Sequence, residues 1–404
     1  MGLFDVAIIG AGVAGSVAAY RIKKANEKIK LAIIDVGRPP LKRRRQIEGW
    51  LGCLPNSDGK LYTHDLNNLK EFLTEESIES GLEYYMNLYS SFRKPELTKN
   101  KPMSKKFSKE LNSKGYSIEY SDYYQIFPKD IHQLSKKMSS FIEDTKFTEY
   151  FFDTEVISIE KDSDNFCIKT EESEILAKKI IFSPGRSGWR FAKSVFDFFK
   201  LEQENDYSYY GVRAEVESLC AKDFNKSICT LNKDDLMLGR FSWAGTTIQE
   251  DHIDIAISSF RSNENRWLSD KVSFDVIKKV HNPGKGMEES ERISKLSFLL
   301  ANDRVLKEKI SVVLSGKAKI SPLKEYNWLL SDLEKINDIM PEFTTKASVY
   351  YPSIIAVPPK VKVSDKLETQ INGLYLAGET LTKYGILFSA ISGIQCADNV
   401  MESL

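Results

Sequence analysis

The sequence predicts an α/β protein whose main domain is discontinuous, interrupted by a helical insertion and by an α+β lobe. Three observations predict it. A glycine-rich strand–turn–helix opens the chain, three strand-like runs lie in its middle, and a second strand–turn–helix closes it. Val6 to Ile9 is a short apolar run of buried-strand type. Gly10, Gly12 and Gly15 then form G-x-G-x-x-G where that strand ends. Val13 to Ile22 carries small and apolar residues at helical spacing, and Lys23, Lys24 and Lys28 mark its polar exit. Leu31 to Ile34 reads as the next strand, with Asp35 at its end.

Each part of this pattern has a task in holding a dinucleotide. Gly10 permits the tight turn, Gly12 lets the backbone approach a pyrophosphate, and Gly15 lets helix and strand pack closely. The helix start presents free N–H groups to the phosphates through Ala11, Val13 and Ala14. Asp35, with Val36 after it, stands where a carboxylate accepts hydrogen bonds from an adenosine ribose. The rival reading is a glycine-rich strand–helix turn that binds nothing.

The mid-chain and C-terminal pieces extend the domain. Thr154–Glu160, Phe166–Thr170 and Ile175–Gly185 read as consecutive strands, with Asp162–Asn165 and Glu171–Glu174 as polar turns. The last strand runs into Ser183, Pro184, Gly185 and Arg186. Gly373–Glu379 is a short strand ending in the pair Gly378-Glu379, and Gly385, Ile386 and their successors lead into a final helix through Met401.

The last segment resembles the C-terminus of two-dinucleotide-binding-domain flavoproteins, in which a strand, a Gly-Asp or Gly-Glu pair and a glycine-led helix face the flavin. More widely, the chain resembles the uncharacterised FAD-dependent dehydrogenases of bacteria, relatives of the geranylgeranyl-reductase and aromatic-hydroxylase flavoproteins. Ser57-Asp-Gly-Lys-Leu61, Pro184-Gly-Arg-Ser-Gly188 and Gly373–Gly393 carry this likeness. Two departures stand out. Gly52-Cys-Leu-Pro55 replaces a glycine-rich stretch, and Gly385 is a single glycine, preceded by Tyr384, where the family has a pair.

The resemblance implies a Rossmann-like FAD-binding domain of the glutathione-reductase type and an FAD-dependent oxidoreductase, a dehydrogenase or C=C reductase on a small molecule. A flavin monooxygenase and a non-catalytic FAD-binding protein are the alternatives. It also implies a backbone contact from Val156 to adenine, and places Ser183 to Arg186, Gly378, Glu379, Gly385 and Ile386 along the cofactor. FAD should be held non-covalently, with NAD(P)H at most a transient reductant, or an electron-donor protein in its place.

Composition narrows the partners. The 404 residues permit two or three lobes. Formal net charge is zero, so no overall field recruits nucleic acid or an anionic membrane. No run approaches the roughly twenty apolar residues of a membrane span. The five cysteines form no C-x-x-C pair, which argues against a disulfide relay and for a reducing cytoplasm. The four histidines show no metal spacing.

The expected domains are 1–61, 150–199 and 346–404 for the FAD-binding domain, 62–149 for the helical insertion, and 200–345 for a substrate or cap lobe. Leu66–Tyr89 and Asp130–Phe147 read as helices, and the Lys-rich segment Lys94–Lys114 as an exposed connection. The third part should open with strands at Tyr209–Val216, Leu236–Trp243 and His252–Ser258, forming a roof to the pocket. Helices near 264–280, 287–301 and 322–339 should follow. Gly284-Lys-Gly286 reads as a loop.

Lys60 is the first candidate for a catalytic side chain, as a cation that stabilises reduced flavin; the alternative is a surface lysine after a Ser-Asp-Gly turn. Asp58 either forms that turn or orients Lys60. Arg186 either touches the cofactor or caps its loop. Arg43-Arg-Arg45 is either a phosphate site or a solvated face. Cys53, His64 and Tyr384 each have a structural alternative.

Overall fold

The computed structural model describes residues 2–404 apart from 40, 41, 43–47, 163, 205, 206, 244, 252–255, 263–269, 282–284, 303, 356 and 357. The chain divides into two compact units. The first holds Met1–Glu96, Tyr124–Glu204 and Pro358–Leu404; the second holds Leu97–Tyr123 and Asn205–Val357.

The first unit is built on a seven-stranded sheet. In chain order its elements are β1 (Phe4–Ile9), α1 (Val13–Ala25), β2 (Leu31–Asp35), β3 (Lys60–Tyr62), α2 (His64–Leu69) and α3 (Glu75–Asn87). Then come α4 (Pro128–Glu143), β4 (Thr148–Phe152), β5 (Val156–Asp162), β6 (Asn165–Thr170), β7 (Glu174–Phe182), α5 (Trp189–Phe198), β8 (Leu374–Leu376) and α6 (Ile386–Glu402). The sheet runs β4-β2-β1-β7-β6-β5, with β8 also on β7. Strand β7 is shared. Its first half pairs antiparallel with β6, and its second half pairs parallel with β1 and β8.

Five strand ends therefore meet along one edge. Ile9 is in register with Phe182 and with Ile34, Phe182 with Leu376, and Asp35 with Phe152. Strands β1 and β2 are apolar because the sheet is covered on both faces, as parallel sheets are. Val6, Ala7, Ile8, Leu31, Ala32 and Ile33 have no exposed surface.

The three mid-chain strands lie within three residues of the expected bounds. Strand β4 is additional: Tyr150, Phe151 and Phe152 extend the parallel sheet beyond β2. The helix expected over Leu66–Tyr89 is two helices. Thr74 breaks it, because its hydroxyl accepts from the Ser77 N–H at 3.2 Å and Glu75 and Glu76 then open a new first turn.

The second unit has its own apolar core and a seven-stranded antiparallel sheet. Its order is 306–309, 348–355, 207–217, 271–281, 236–243, 229–233 and 117–120. Two expectations are corrected here. The helix expected near 264–280 is the strand Lys271–His281 over its described part. Its alternation explains this: Val272, Phe274 and Val276 join the core, while Ser273 and Asp275 face Arg213 on the neighbouring strand. The Lys-rich connection contains a helix, Lys105–Ser113, which Ser104 caps and which buries Phe107 and Leu111. Gly286–Leu300 lies within one residue of its expected helix, so Gly286 opens a helix where a loop was expected, and Asn327–Ile336 is shorter than the expected 322–339. His252 and Gly284 lie outside the described residues, and Ala256–Ser262 pairs with Gly245–Asp251.

Arg213 and Asp275 are fully buried and 3.1 Å apart. Ser353 donates to Asp275 at 2.5 Å, and Arg213 donates to the Ser273 hydroxyl at 3.0 Å. A buried pair of this kind is tolerable only because hydrogen bonds satisfy its remaining polar atoms.

Candidate functional site

The common edge of the parallel strands in the first unit gathers most of the residues singled out in the sequence. The three fingerprint glycines differ in what holds them there. Gly10 has φ +94°, and a Cβ on it would overlap the Ser183 carbonyl and approach Pro184 Cα to 2.9 Å. A Cβ on Gly15 would overlap the Gly10 carbonyl, so this glycine serves helix–strand packing. Gly12 is unlike both. Its φ of −61° suits any residue, and a Cβ there would meet nothing within 4 Å. The fold gives no reason for glycine at 12; free space does.

Helix α1 starts at that space without protection. Gly12 is its N-cap, no side chain caps it, and its first turn has no acidic residue. Its first N–H groups and partial positive charge point toward the gap above Gly12.

Asp35 is 8% exposed. Its Oδ2 accepts from the Ala11 N–H and its Oδ1 from the Gly37 N–H, both at 2.6 Å. Burial raises its pKa, and backbone hydrogen bonds from Ala11, Gly37 and Gly49 work against that rise. The carboxylate thus ties β2 to the glycine turn. Three N–H groups occupy the carboxylate, and it retains acceptor capacity for a ribose hydroxyl. Val36, beside it, is 39% exposed. Asp153 donates its N–H to Gly37 O at 2.9 Å and Thr154 to Asp35 O at 3.1 Å. This brings the start of β5, with Val156, alongside the end of β2.

The post-strand turn and the C-terminal Gly-Glu turn also meet. Ser183 donates its hydroxyl to Gly10 O at 2.9 Å. The Arg186 N–H donates to Glu379 Oε2 at 3.2 Å, and the Arg186 Nε lies 3.6 Å from the same oxygen. Gly378, at φ +68°, would touch the Ala14 methyl at 3.1 Å if it carried a Cβ. The hydroxyls of Thr380 and Thr382 in this turn are buried and have no hydrogen-bond partner among the described residues.

Helices α1 and α6 lie parallel. A Cβ on Gly393 would come 3.0 Å from Ala14 Cα, and seven residues further along α1 Arg21 pairs with Asp398 at 2.7 Å. Helix α6 begins seven residues before Gly393. Its start therefore projects about 10 Å beyond that of α1. One helix start thus adjoins the open space at Gly12, and the other stands further out along the same edge.

That outer start is not open. The Asp65 carboxylate, 2% exposed, accepts the backbone N–H groups of Leu387 and Phe388. Gly385 precedes them with φ +134°, and a Cβ there would overlap the Asp65 carboxylate. Glycine at 385 is thus required by Asp65 as well as by its own φ. His64 Nε2 lies 3.3 Å from Asp65 Oδ1, with its ring stacked on Tyr62 at 5.5 Å. Burial raises the Asp65 pKa well above the carboxylate range and lowers that of His64. Asp65 was not legible beforehand, because its partners lie more than three hundred residues away in sequence.

Lys60 is 2.6 Å from Asp58 Oδ2, with side chains 12% and 5% exposed. Asp58 Oδ1 also accepts the Lys60 N–H at 3.1 Å, so Asp58 both forms the turn and orients the lysine. Ile126 N donates to Gly59 O at 2.8 Å and fixes this turn to the chain before α4. Cys53 is half-buried and in no disulfide, and Tyr384 is 41% exposed. Arg43-Arg-Arg45 lies outside the described residues. Among the described residues no cluster of His, Cys, Asp or Glu could hold a metal, and no helix is long and apolar enough to cross a membrane.

No protein-family model and no curated protein matches the chain. Solved structures do resemble it. L-alpha-glycerophosphate oxidase from Mycoplasma pneumoniae, in a structure with FAD bound, is 12% identical, with 100% of this chain and 95% of that one covered and a TM-score of 0.47. Glycine oxidase from Geobacillus kaustophilus is 14% identical over 100% and 95% of the two chains, at 0.47. A geranylgeranyl bacteriochlorophyll reductase-like protein from Thermoplasma acidophilum is 10% identical over 100% and 79%, at 0.41. At such identities and TM-scores the likeness carries no argument about this chain's cofactor or reaction, and the residues themselves must carry it.

Proposed function

We propose that the protein is an FAD-dependent oxidoreductase acting on a small molecule, as a dehydrogenase or C=C reductase. The observation that carries this is Gly12. Neither packing nor backbone conformation calls for glycine there, yet it borders open space at the uncapped start of α1. A pyrophosphate fits that combination of free volume, free N–H groups and positive helix end.

The residues divide the cofactor among them. The turn Gly10–Gly15, with the N–H groups of Val13 and Ala14, would hold the pyrophosphate. Asp35 would accept the ribose hydroxyls, with Val36 and Val156 beside the adenine. The turns Ser183–Arg186 and Gly378–Glu379 border the middle, where the Thr380 and Thr382 hydroxyls offer unused polar atoms. Lys60, Gly385 and Ile386 are assigned to the far end. The outward reach of α6 favours a dinucleotide with a long second half, which is what distinguishes FAD here.

When bound, FAD supplies hydride acceptance and donation at its isoalloxazine. The chain's part is position and charge. Asp58 holds the Lys60 ammonium in one place, where it can offset negative charge at the far end of the site. Glu379 holds the Arg186 turn against the Gly378 turn, keeping the two walls in register.

The purified protein should be yellow, and heat or acid should release a cofactor that chromatographs as FAD and not FMN. Colourless protein that stays colourless after incubation with FAD would sink this reading.

A further inference from the structure

The start of α6 is where this chain differs from a simple open cradle. A helix start at the ligand edge of a parallel sheet ordinarily offers its N–H groups to an outside anion. Here Asp65, delivered by α2, accepts the Leu387 and Phe388 N–H groups. Helix α6 has no acidic residue in its own first turn and no capping side chain of its own. Gly385 makes room for the Asp65 carboxylate specifically. Of the described residues, His64 alone forms an ion-pair contact with Asp65; the partial burial of its ring favours the neutral form.

We infer that Asp65 caps the start of α6 at the flavin end of the site, where it takes the helix N–H groups from the cofactor and, in its ionised form, opposes negative charge on it. The inference rests on the FAD reading above. Reduction by a hydride donor oxidises the donor, brings two electrons and one proton to the isoalloxazine, and leaves one negative charge on the ring. A carboxylate that already holds the helix start would disfavour that charge in two ways. It removes the donors that would solvate the charge, and it adds a like charge nearby. Asp65 is then a positioning residue that sets the flavin's readiness to be reduced.

The test uses wild type, Asp65→Asn and Asp65→Ser, each purified with FAD. Asn and Ser are neutral, and both can still accept a helix N–H. The two-electron potential of the bound flavin is read against a reference dye during reduction by dithionite over a pH series from 6 to 10, and the variants are compared with wild type at the alkaline end, where the carboxylate form is favoured. Neutralising Asp65 should raise the ratio of reduced to oxidised flavin at a fixed potential about tenfold, a shift of about 30 mV. Equal potentials in wild type and both variants, with FAD bound in all three, would overturn the role of Asp65 and leave the FAD reading intact. Loss of flavin from both neutral variants would also overturn it, because the carboxylate would then be holding the cofactor. Wild type that binds no FAD would end both readings.

Discussion

Helices α1 and α6 lie side by side and parallel, and both begin with glycine as the N-cap. The two glycines are there for opposite reasons. Gly12 has an ordinary φ and empty space where a side chain would be, while Gly385 has φ +134° and a carboxylate in that place. One start leaves its N–H groups for something from outside; the other is capped by the protein's own Asp65. A helix N-terminus is therefore not a ligand site by position alone. It is one when the chain supplies no anion of its own and leaves the space clear.

The largest expected effect separates the two starts. Gly12→Val should weaken FAD retention at least about 100-fold, or about 2.7 kcal/mol, because a branched side chain would fill the space proposed for the pyrophosphate. Gly12→Ala should also weaken binding while keeping the stability of the cofactor-free protein within about 1 kcal/mol, since its Cβ meets no protein atom and its φ is ordinary. Flavin content by absorbance and urea unfolding of the stripped protein measure both. Normal flavin content in the valine variant would mean that this start touches no phosphate, and the contrast with α6 would fail.

A smaller effect lies in the pH dependence of Asp65. Burial raises its folded pKa well above the ordinary carboxylate value. The folded state therefore binds more protons than the unfolded state between those two values. The contribution of Asp65 to stability is fully present below the unfolded pKa and is lost as pH rises through the folded one. Relative to Asp65→Asn, wild type should lose stability upward from about pH 4, by at most about 1.4 kcal/mol per pH unit. Chemical denaturation of both proteins at pH 5 and pH 8 reads the difference. A gap that does not change with pH would show that the cap carries no titrating charge.

The glycine turn, β1, β2 and the mid-chain strands were legible because their signals are local: apolar runs, glycine spacing and polar turns within a few residues. What escaped was set by distance or by a competing local signal. Asp65 meets α6 across more than three hundred residues, and nothing around His64-Asp65 announces that contact. In Lys271–His281, Ser273 and Asp275 interrupt the apolar run because they face Arg213 on the neighbouring strand, a contact no local pattern announces. Lys105–Ser113 looked like a loop because lysines outnumber its two buried anchors, Phe107 and Leu111. The Glu379 carboxylate also meets the Arg186 N–H, a contact across nearly two hundred residues.

That last pair is the intermediate case between the open and the plugged helix start, and it carries the smallest prediction. Glu379 reaches across the edge to the Arg186 N–H and guanidinium, but both side chains remain about a fifth exposed, at 20% and 21%. Solvent screens such a pair, and the 3.6 Å separation of Nε and Oε2 is long for a charge-assisted bond. Glu379→Gln keeps an acceptor for the Arg186 N–H and removes only the charge. It should cost about 0.5 kcal/mol of stability. A double-mutant cycle with Arg186→Ala, read by urea unfolding, should give a coupling of the same size that shrinks as salt is added. A coupling above about 2 kcal/mol that ignores salt would place this pair with Asp65, as an internal charge the fold depends on. The edge would then have only one part, the space at Gly12, left for a ligand to fill.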